Sequence, residues 1–465
     1  NVAIKNLVDF GLSSIAFGLI GFTIAFGASW NGVLGVSPPS LESPRELTFF
    51  LFQLMFCGTA TTIVSGAVAE RMRFSGYLVV ASLISLVIYP VSTHWAWGGA
   101  FDGTSTGWLS QSGFVDFAGS TVVHVVGGTT ALVACVIIGP RKGRFEGRWT
   151  GNTHNVPLAM VGVLLLWVGW YGFNGGSTLA LNDTVPRVMV NTTMSAVGGM
   201  LAALTLSWIL AGRPIVGDVM NGTLAGLVAV TAGCHAVDLP GAVCIGAIGG
   251  LLATLATRAL EKLRIDDAIG AFPVHAVAGV WGTIAVAVFG NPLLLGTGLG
   301  PASQLIVQLK GIAACGLWAA FAGWGLIRLA GFLVPLRVSA EEEEIGLNVA
   351  EHCAHTELDD LLGQMEEHRA TGDFSIPLRT ESESEVGQVA AQYNRVLERI
   401  VAQQNLLVTS YMDIEAQNTQ LQEMQSTLRL QIDDLECFNR TAVERELRMS
   451  ELKDEINELL VSDGG

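Results

Sequence analysis

Two histidines lie in apolar stretches long enough to cross a membrane, and they share a local sequence. His124 and His275 both occur in the pattern Val-His-x-Val-x-Gly. Ionisable side chains are costly inside a bilayer, so they usually face a cavity or a partner. A neutral imidazole has one donor and one acceptor, and two facing rings could therefore line a narrow path and relay a proton. The alternative is that each ring donates to a backbone carbonyl between packed helices.

A carboxylate precedes the first histidine at the start of the same apolar stretch. Asp116 lies eight residues before His124, which corresponds to about 12 Å along a helix. An aspartate at this position is predicted to cap the helix that begins at Phe117. A cap and a carboxylate that shapes a binding site do not exclude each other.

Aromatic residues of neighbouring stretches form a third group, which consists of Phe56, Trp95, Trp97, Trp170 and Phe173. We interpret Trp95 and Trp170 as interfacial anchors, because tryptophan at the end of a span normally lies at headgroup level. Trp97 precedes two glycines, and its exposed indole face could attract a cation.

These side chains require a helical scaffold within a membrane, and the composition predicts one. Of 465 residues, 50% are hydrophobic and only 14% are charged, whereas about 25% are charged in ordinary soluble domains. Most of the apolar stretches reach the roughly 20 residues that a helix needs to cross a bilayer. The ten stretches are 7–28, 47–69, 75–97, 117–139, 156–178, 187–211, 217–235, 240–260, 273–289 and 303–335, of which the seventh and the ninth are short. The predicted fold is therefore an all-α membrane protein.

The distribution of charge predicts the topology. Residues 1–337 carry a net charge of +3 and residues 338–465 carry −19. Cations follow the even-numbered stretches, whereas the alternate connections contain no Lys or Arg. The cations are Arg71, Arg73, Arg141, Lys142, Arg144, Arg148, Arg213, Arg258, Lys262, Arg264, Arg328 and Arg337. The positive-inside rule then places Asn1 and the acidic tail in the cytoplasm of a multi-pass inner-membrane protein.

The histidine pattern also indicates an internal repeat. Five spans separate the two copies, so they run through the membrane in opposite directions. Inverted-topology repeats of this kind tend to hold a substrate site at their interface.

The tail after Pro335 has a different organisation. We predict a transmembrane domain over 1–337, an acidic connector over 338–356, a segment with two short helices over 357–400 and a coiled coil over 401–460. A seven-residue repeat supports the last segment, since the register from Tyr393 to Ile456 is apolar at all ten positions. The second register, from Val389 to Leu459, is apolar at six of eleven positions.

Metal, cofactor and disulfide chemistry have no support in the sequence. The seven cysteines are scattered without a CxxC pair, so neither a zinc site nor a disulfide framework is predicted. No cofactor, no catalytic residue and no nucleic-acid partner is predicted either.

Seven short strings resemble the Amt/Rh ammonium transporter family and occur in the order of that family over about residues 1–350. The strings are AERMRF at 69–74, WGG at 97–99, DFAGSTVVH at 116–124, GWYGFNGGS at 169–177, DD at 266–267, FPVH at 272–275 and LRV at 336–338. The resemblance implies an inverted-repeat bundle of eleven helices, a homotrimer, and ammonium or ammonia as the substrate of a pore in each subunit.

The same resemblance assigns roles to individual residues. Trp97, Phe56 and Ser177 would bind the ammonium ion at the outer mouth, and Asp116 would support recruitment there. Phe56 and Phe173 would be the stacked rings that close the pore. His124 and His275 would be the twin histidines beyond that gate.

Three departures from the family pattern bear on conduction. Residue 1 aligns with the start of the family's second helix, so we expect that the true N-terminus is missing. Gly270 stands where the family usually has an aspartate, and Ala276 stands where it usually has glycine. Binding of ammonium is therefore a safer expectation than efficient conduction.

The tail resembles signalling proteins instead. Residues 385–400 resemble the second helix of a HAMP relay, and residues 359–367 part of its first helix. Residues 438–458 resemble the linkers before kinase modules. An output domain, most plausibly a histidine kinase rather than a diguanylate cyclase, would lie beyond Gly465, so no enzymatic activity is expected from these residues.

Two functions remain open from the sequence. The first is an ammonium receptor that signals through the relay, with tail–tail pairing and a downstream domain or response regulator as partners. The second is a conducting ammonium channel whose tail only oligomerises or docks a regulator.

Overall fold

The structure, a computed structural model, describes residues 1–147, 155–354, 356–379, 384–462 and 464. These residues form two compact units, Asn1–Cys353 and Ala354–Gly465. Arg148, one of the predicted cytoplasmic cations, lies outside the described residues, as do residue 355 and residues 380–383 of the predicted tail segments.

All ten predicted apolar stretches are helical in the first unit. Among the described residues, nine helices are long and apolar enough to cross a membrane, and α7 is a shorter apolar helix. The helices are α1 Val2–Phe26, α2 Pro44–Ala67, α3 Phe74–Asp102, α4 Ser120–Ile138, α5 Val156–Gly176, α6 Thr184–Ala211, α7 Val216–Val230, α8 Leu239–Lys262, α9 Phe272–Phe289 and α10 Pro301–Leu333.

Local sequence explains where several of these helices begin. At the start of α2, the hydroxyl of Ser43 accepts a hydrogen bond from the backbone N–H of Glu46, and the Glu46 side chain accepts one from the N–H of Ser43. Asp238 caps α8 in a similar way through the N–H of Gly241. Such caps satisfy backbone donors that have no partner within the helix.

Short elements connect the helices at one end of the bundle. The two-residue strands β1 Ser29–Trp30 and β2 Leu34–Gly35 pair antiparallel, with Ser29 opposite Gly35 and Trp30 opposite Leu34. Single-turn helices occupy Trp108–Gln111 and Pro292–Leu295.

The helix that carries His124 lies in the centre of the unit. In an 18-residue stretch of α4, 78% of the residues are buried, against 6% in α5. The exposed side chains of α5 are apolar, as expected for a surface that faces lipid or another subunit. Burial therefore differs strongly between α4 and α5, whose buried residues Trp170, Asn174 and Gly175 all lie near its C-terminal end.

Two glycines of the histidine pattern allow the inverted segments to cross closely. A Cβ on Gly128 would lie 2.6 Å from the backbone nitrogen of Ala276, and a Cβ on Gly279 would collide with the carbonyl oxygen of Ser120. In each copy of the repeat, the glycine thus leaves room for the backbone of the other copy. This reciprocity supports the predicted inverted repeat.

Both histidines lie in π-helical turns. Ser120–Val125 at the start of α4 and Phe272–Val277 at the start of α9 have this conformation. π-helical turns often occur at functional sites. The sequence pattern did not indicate them.

The chain leaves the ten-helix bundle through two short helices that still belong to the first unit. Helix α11 covers Ala340–Ile345 and helix α12 covers Leu347–His352. Ser339 and Glu342 form a capping box that begins α11.

The second unit contains two helices, α13 Glu357–Thr371 and α14 Glu385–Ser462. Leu361, Leu378 and Ala390 form a small buried cluster between them. Asn394 fixes the connecting segment, because its side chain accepts from the N–H of Leu378 at 2.8 Å and donates to the carbonyl of Leu378 at 3.0 Å. The predicted heptad region is one continuous helix, and its apolar side chains are exposed in the single chain.

Candidate functional site

A continuous series of rings leads from Trp97 into the bundle. The Trp97 and Phe56 rings meet edge to face, with centroids 5.7 Å apart. Phe56 stacks on Phe173 with a centroid distance of 4.2 Å and an interplanar angle of 25°. Two phenyl rings stacked at this distance leave no open passage between their faces, and this pair, the predicted gate, lies next to Trp97.

The histidines face each other on the far side of this gate. The Nδ1 atoms of His124 and His275 are 3.1 Å apart, and the ring centroids are 5.1 Å apart with an interplanar angle of 15°. At this distance one Nδ1 donates and the other accepts, which neutral imidazoles can do. The two rings therefore pair with each other, as the repeat predicted. They do not take the alternative arrangement in which each ring donates to a backbone carbonyl.

Trp170 is part of this series, and its interpretation as an interfacial anchor is wrong. Its side chain is buried, its ring stacks on His124 at 5.3 Å and 15°, and its indole N–H donates to Thr231 Oγ1 at 3.0 Å. The rule for tryptophan at span ends failed because the Trp170 side chain faces the interior of the bundle, where its ring contacts His124. Trp95 instead packs between Trp108 and Trp318.

Asp116 acts as a cap and also holds the Trp97 ring. Its carboxylate accepts from the backbone N–H groups of Gly119, Thr121 and Val122 at 3.0, 2.9 and 2.8 Å. Its carbonyl oxygen accepts from Trp97 Nε1 at 2.7 Å. Burial raises the pKa of this carboxyl, which precedes α4, to about 6, and the backbone donors oppose the shift. Its negative charge lies close to the gate without an opposing cation among its hydrogen-bond partners.

Ser177 follows α5, one turn beyond Phe173. Its hydroxyl donates to the carbonyl of Phe173 at 2.8 Å. Because the hydroxyl proton is engaged, the oxygen is left to act as an acceptor. The structure therefore places Ser177 next to the gate as a half-buried acceptor.

A cavity of about 640 Å³ opens at the end of the series that carries Trp97, which we call the Trp97 mouth. Trp97, Asp116, Phe117 and His235 line it together with hydroxyl-bearing residues. Phe117 stacks on His235 at 4.3 Å. A polar cavity lined by an indole ring and a buried carboxylate suits a small cation, and Phe56, Phe173 and Ser177 lie outside its lining.

Comparison with known proteins agrees with this geometry. A model of the family described as "Ammonium Transporter Family" matches residues 1–357. The chain belongs to the ammonium transporter family. It is 47% identical over 414 residues to a putative ammonium transporter of Synechocystis sp., covering 86% of this chain and 76% of that protein. It is 41% identical over 386 residues to ammonium transporter Amt2 of Archaeoglobus fulgidus, covering 76% of this chain and 80% of that protein.

Solved structures give the same result for the fold of this family member. A structure described as "Sensor Amt Protein" superposes with a TM-score of 0.71 at 40% identity, covering 75% of this chain and 89% of that chain. Saccharomyces cerevisiae Mep2 superposes with a TM-score of 0.65 at 25% identity, covering 72% of this chain and 79% of that chain.

The structure of this family member adds a residue that the sequence reasoning missed. Asp267 accepts from the backbone N–H groups of Gly270 and Phe272 at 3.1 and 2.8 Å, as Asp116 does at the start of α4. The spacing Asp-x-x-Gly-x-x-x-Val-His occurs at both places, 116–124 and 267–275. Extending the repeat toward the N-terminus of each copy would have found Asp267.

The extended repeat also explains one departure from the family pattern. Gly270 has φ +75° and corresponds to Gly119, which has φ +105°. Both glycines adopt the left-handed conformation that lets the preceding aspartate reach the helix start. The other departure, Ala276, lies against Gly128 where the two segments cross.

Proposed function

We propose that this member of the ammonium transporter family is an ammonium receptor that reports occupancy of its Trp97 mouth through its tail. The observation that carries the proposal is the docking of residues 338–353 of the acidic connector on the ten-helix bundle. Three consecutive glutamates make ion pairs there: Glu342 with Arg73 at 2.7 Å, Glu343 with Arg337 at 2.8 Å and Glu344 with Lys142 at 2.6 Å. A segment attached in this way can follow movements of the bundle.

The ligand site follows from the ring series. Trp97 and Phe56 would offer the faces of their rings to an ammonium ion, Ser177 would offer an acceptor oxygen, and Asp116 would supply negative charge. Transfer of a bare ion past the Phe56–Phe173 gate into an apolar path would cost tens of kcal/mol in the Born limit. The ion is therefore held at the mouth, and only neutral ammonia could pass to His124 and His275.

The positive-inside rule gives the proposed orientation. The Trp97 mouth faces the outside, and Arg71, Arg141 and Arg337 lie at the cytoplasmic ends of their helices. The tail is then cytoplasmic in a protein of the inner membrane.

The long tail suits a relay. Helix α13 and the start of α14 would form the HAMP-like segment over 357–400, followed by the coiled coil over 401–460. The exposed heptad side chains of α14 would be covered by the same helix of further copies of this chain. The membrane domain would assemble as a homotrimer, and a histidine kinase domain or another signalling partner would receive the signal.

The similarities are compatible with this role. The solved structure described as "Sensor Amt Protein" is 40% identical. The match to the Synechocystis protein covers 86% of this chain and so includes residues after the family-matched part, which ends at 357.

A conducting channel is the second candidate, and one observation favours it. The twin histidines are intact, and Nε2 of His124 is buried without a hydrogen-bond partner among the described residues. An open Nε2 could exchange protons with a molecule in the pathway. In this case the tail only oligomerises or docks a regulator.

Binding and flux measured on the same preparation separate the two functions. We expect the purified chain to bind ammonium by titration calorimetry, and we expect binding to be weakened strongly in Trp97→Ala and less in Ser177→Ala. In proteoliposomes we expect little ammonium flux. Robust flux that is abolished in His124→Ala would contradict a receptor that does not conduct.

A further inference from the structure

Two adjacent aspartates before α9 serve different parts of the molecule. Asp267 caps the turn that holds His275, through the N–H groups of Gly270 and Phe272. Asp266 points to the opposite side and binds cations of two other loops. A short loop thus joins the second pore histidine to a charged cluster.

Asp266 is the centre of that cluster, and its side chain is 1% exposed. Arg141 binds it in a bidentate manner, through Nε to Oδ2 at 2.8 Å and Nη2 to Oδ1 at 3.0 Å, and its backbone N–H also donates at 2.9 Å. Arg144 lies at 3.6 Å, and Arg71 donates to the backbone carbonyl of Asp266. Buried bidentate pairs of this kind fix geometry strongly.

The same loops hold the acidic connector. The backbone N–H of Lys142, next to Arg141, donates to Glu343 at 2.6 Å. The backbone carbonyl of Arg71 accepts from the N–H of Val338 at 3.2 Å. Arg337 contacts both the end of α4 and the connector. It donates to the carbonyls of Ile138 and Pro140 at 2.9 and 2.8 Å, and it pairs with Glu343.

We propose that the Asp266–Asp267 pair couples the His275 segment to the acidic connector, with Asp267 as the positioning residue of His275 and Asp266 as the link to Arg141. The proposal rests on the proposed receptor function and specifies its route. A shift of the His275 turn moves Asp267, and Asp266 moves with it because the two share a peptide unit. The bidentate contact then displaces the loop that holds Glu343.

The route is short, and a chain of hydrogen bonds and ion pairs is one way to carry coupling between sites. Its central contact, between Asp266 and Arg141, is buried to about nine tenths on both sides and is therefore screened by salt less than an exposed pair. A second ion pair of the same chemistry lies off this route, between Asp218 of α7 and Arg258 of α8. It provides a matched control.

The test measures hydrogen exchange of the connector peptide around residues 338–353 in the full chain, with ammonium chloride or with sodium chloride at equal ionic strength. In the wild-type chain we expect ammonium to change the exchange rate of this peptide. Asp266→Asn should still bind ammonium, with an affinity within about fivefold of wild type, the lower range of coupling factors. Its ammonium-dependent change in exchange should be lost.

Asp218→Asn should retain the response, since it also loses a partly buried ion pair but leaves the route intact. Glu343→Gln interrupts the route from the connector side, because it removes the charge that pairs with Arg337 and keeps the size of the side chain. It should bind ammonium and lose the response as Asp266→Asn does.

The outcomes distinguish this inference from the proposed function. Absence of binding, or binding without any connector response in the wild type, contradicts the receptor itself. A wild-type response that persists in both Asp266→Asn and Glu343→Gln overturns the route, and so does an equal loss of response in Asp218→Asn.

Discussion

The two histidine-bearing segments share the same local features, but the residues at their N-terminal ends contact different parts of the molecule. In both, an aspartate accepts backbone N–H groups, a left-handed glycine turns the chain, a π-helical turn carries the histidine and a second glycine accepts the opposing backbone. At the start of α4, Asp116 also orients Trp97 through its carbonyl. At the start of α9, the neighbouring Asp266 binds Arg141.

This difference shows how one repeated scaffold can serve two purposes. The histidine pairing requires the symmetric features, because each ring is placed by the same cap and crossing. The N-terminal ends of the two segments can differ, because they lie outside the region where the segments cross. One end has aromatic rings and a cavity suited to a ligand, and the other has cations that hold the connector.

The largest expected effect tests whether the ligand is recognised at the Trp97 end alone. Trp97→Ala removes a desolvated cation–π partner worth about 2 kcal/mol, so ammonium affinity should fall about thirtyfold. Titration calorimetry measures this directly. Trp95→Ala is the matched control, because Trp95 packs on Trp108 and Trp318 away from the gate. Equal losses in both variants would mean that the aromatic mouth does not select the ligand.

The crossing glycines test the symmetric part of the comparison. Gly128→Ala and Gly279→Ala each place a methyl group against backbone of the opposite segment, and overpacking of this kind costs about 1–3 kcal/mol. Thermal unfolding in detergent should show a lower transition temperature for both. Gly169→Ala has open space within 4 Å and should not be destabilised. A tolerated Gly128→Ala would show that the segments can separate without loss of stability.

A pH series tests the carboxylate at the Trp97 end. Burial raises the pKa of Asp116 to about 6, so the group is ionised at neutral pH and gains a proton as the pH falls through that value. Loss of its charge should weaken ammonium binding about fivefold, equivalent to about 1 kcal/mol. His235 at the same mouth has a pKa lowered by burial to about 4 and should not contribute in this range. Asp116→Asn should bind weakly at every pH and show no such transition.

The smallest expected effect concerns the ring that stacks on His124. Trp170→Phe keeps an aromatic face but removes the donor to Thr231, whose own proton remains bonded to Leu227. The loss should be about 0.5 kcal/mol of unfolding free energy, the low end for one hydrogen bond. Trp208→Phe, at an exposed position, should change stability less. A large loss of unfolding free energy in Trp170→Phe would show that packing of Trp170 on His124 stabilises the protein more than the symmetric arrangement of the two segments implies.

Sequence reasoning found the residues whose types are unusual in a membrane and missed those whose role depends on backbone. His124 and His275 were found because imidazoles in apolar stretches are costly. The positions of the ten helices followed from apolar runs of sufficient length. The π-helical turns and the cap by Asp267 were missed, because both depend on where backbone N–H groups point.

Two further results mark the limits of pattern rules. Trp170 was interpreted from its position in the sequence alone, and sequence position does not show that its side chain faces the interior of the bundle. The heptads predicted a long helix, which α14 confirms. Pairing of that helix depends on other copies of the chain, so it stays a prediction.

The short contact between the two imidazoles makes the two rings of the pair unequal as proton donors and acceptors. Because a neutral ring carries one proton, the ring that donates through Nδ1 presents a bare Nε2, and the ring that accepts at Nδ1 presents an Nε2–H. The pair therefore has an accepting end and a donating end. Transfer of the shared proton from one Nδ1 to the other, with compensating exchange at the two Nε2 atoms, interchanges these ends and reverses the polarity of the pair.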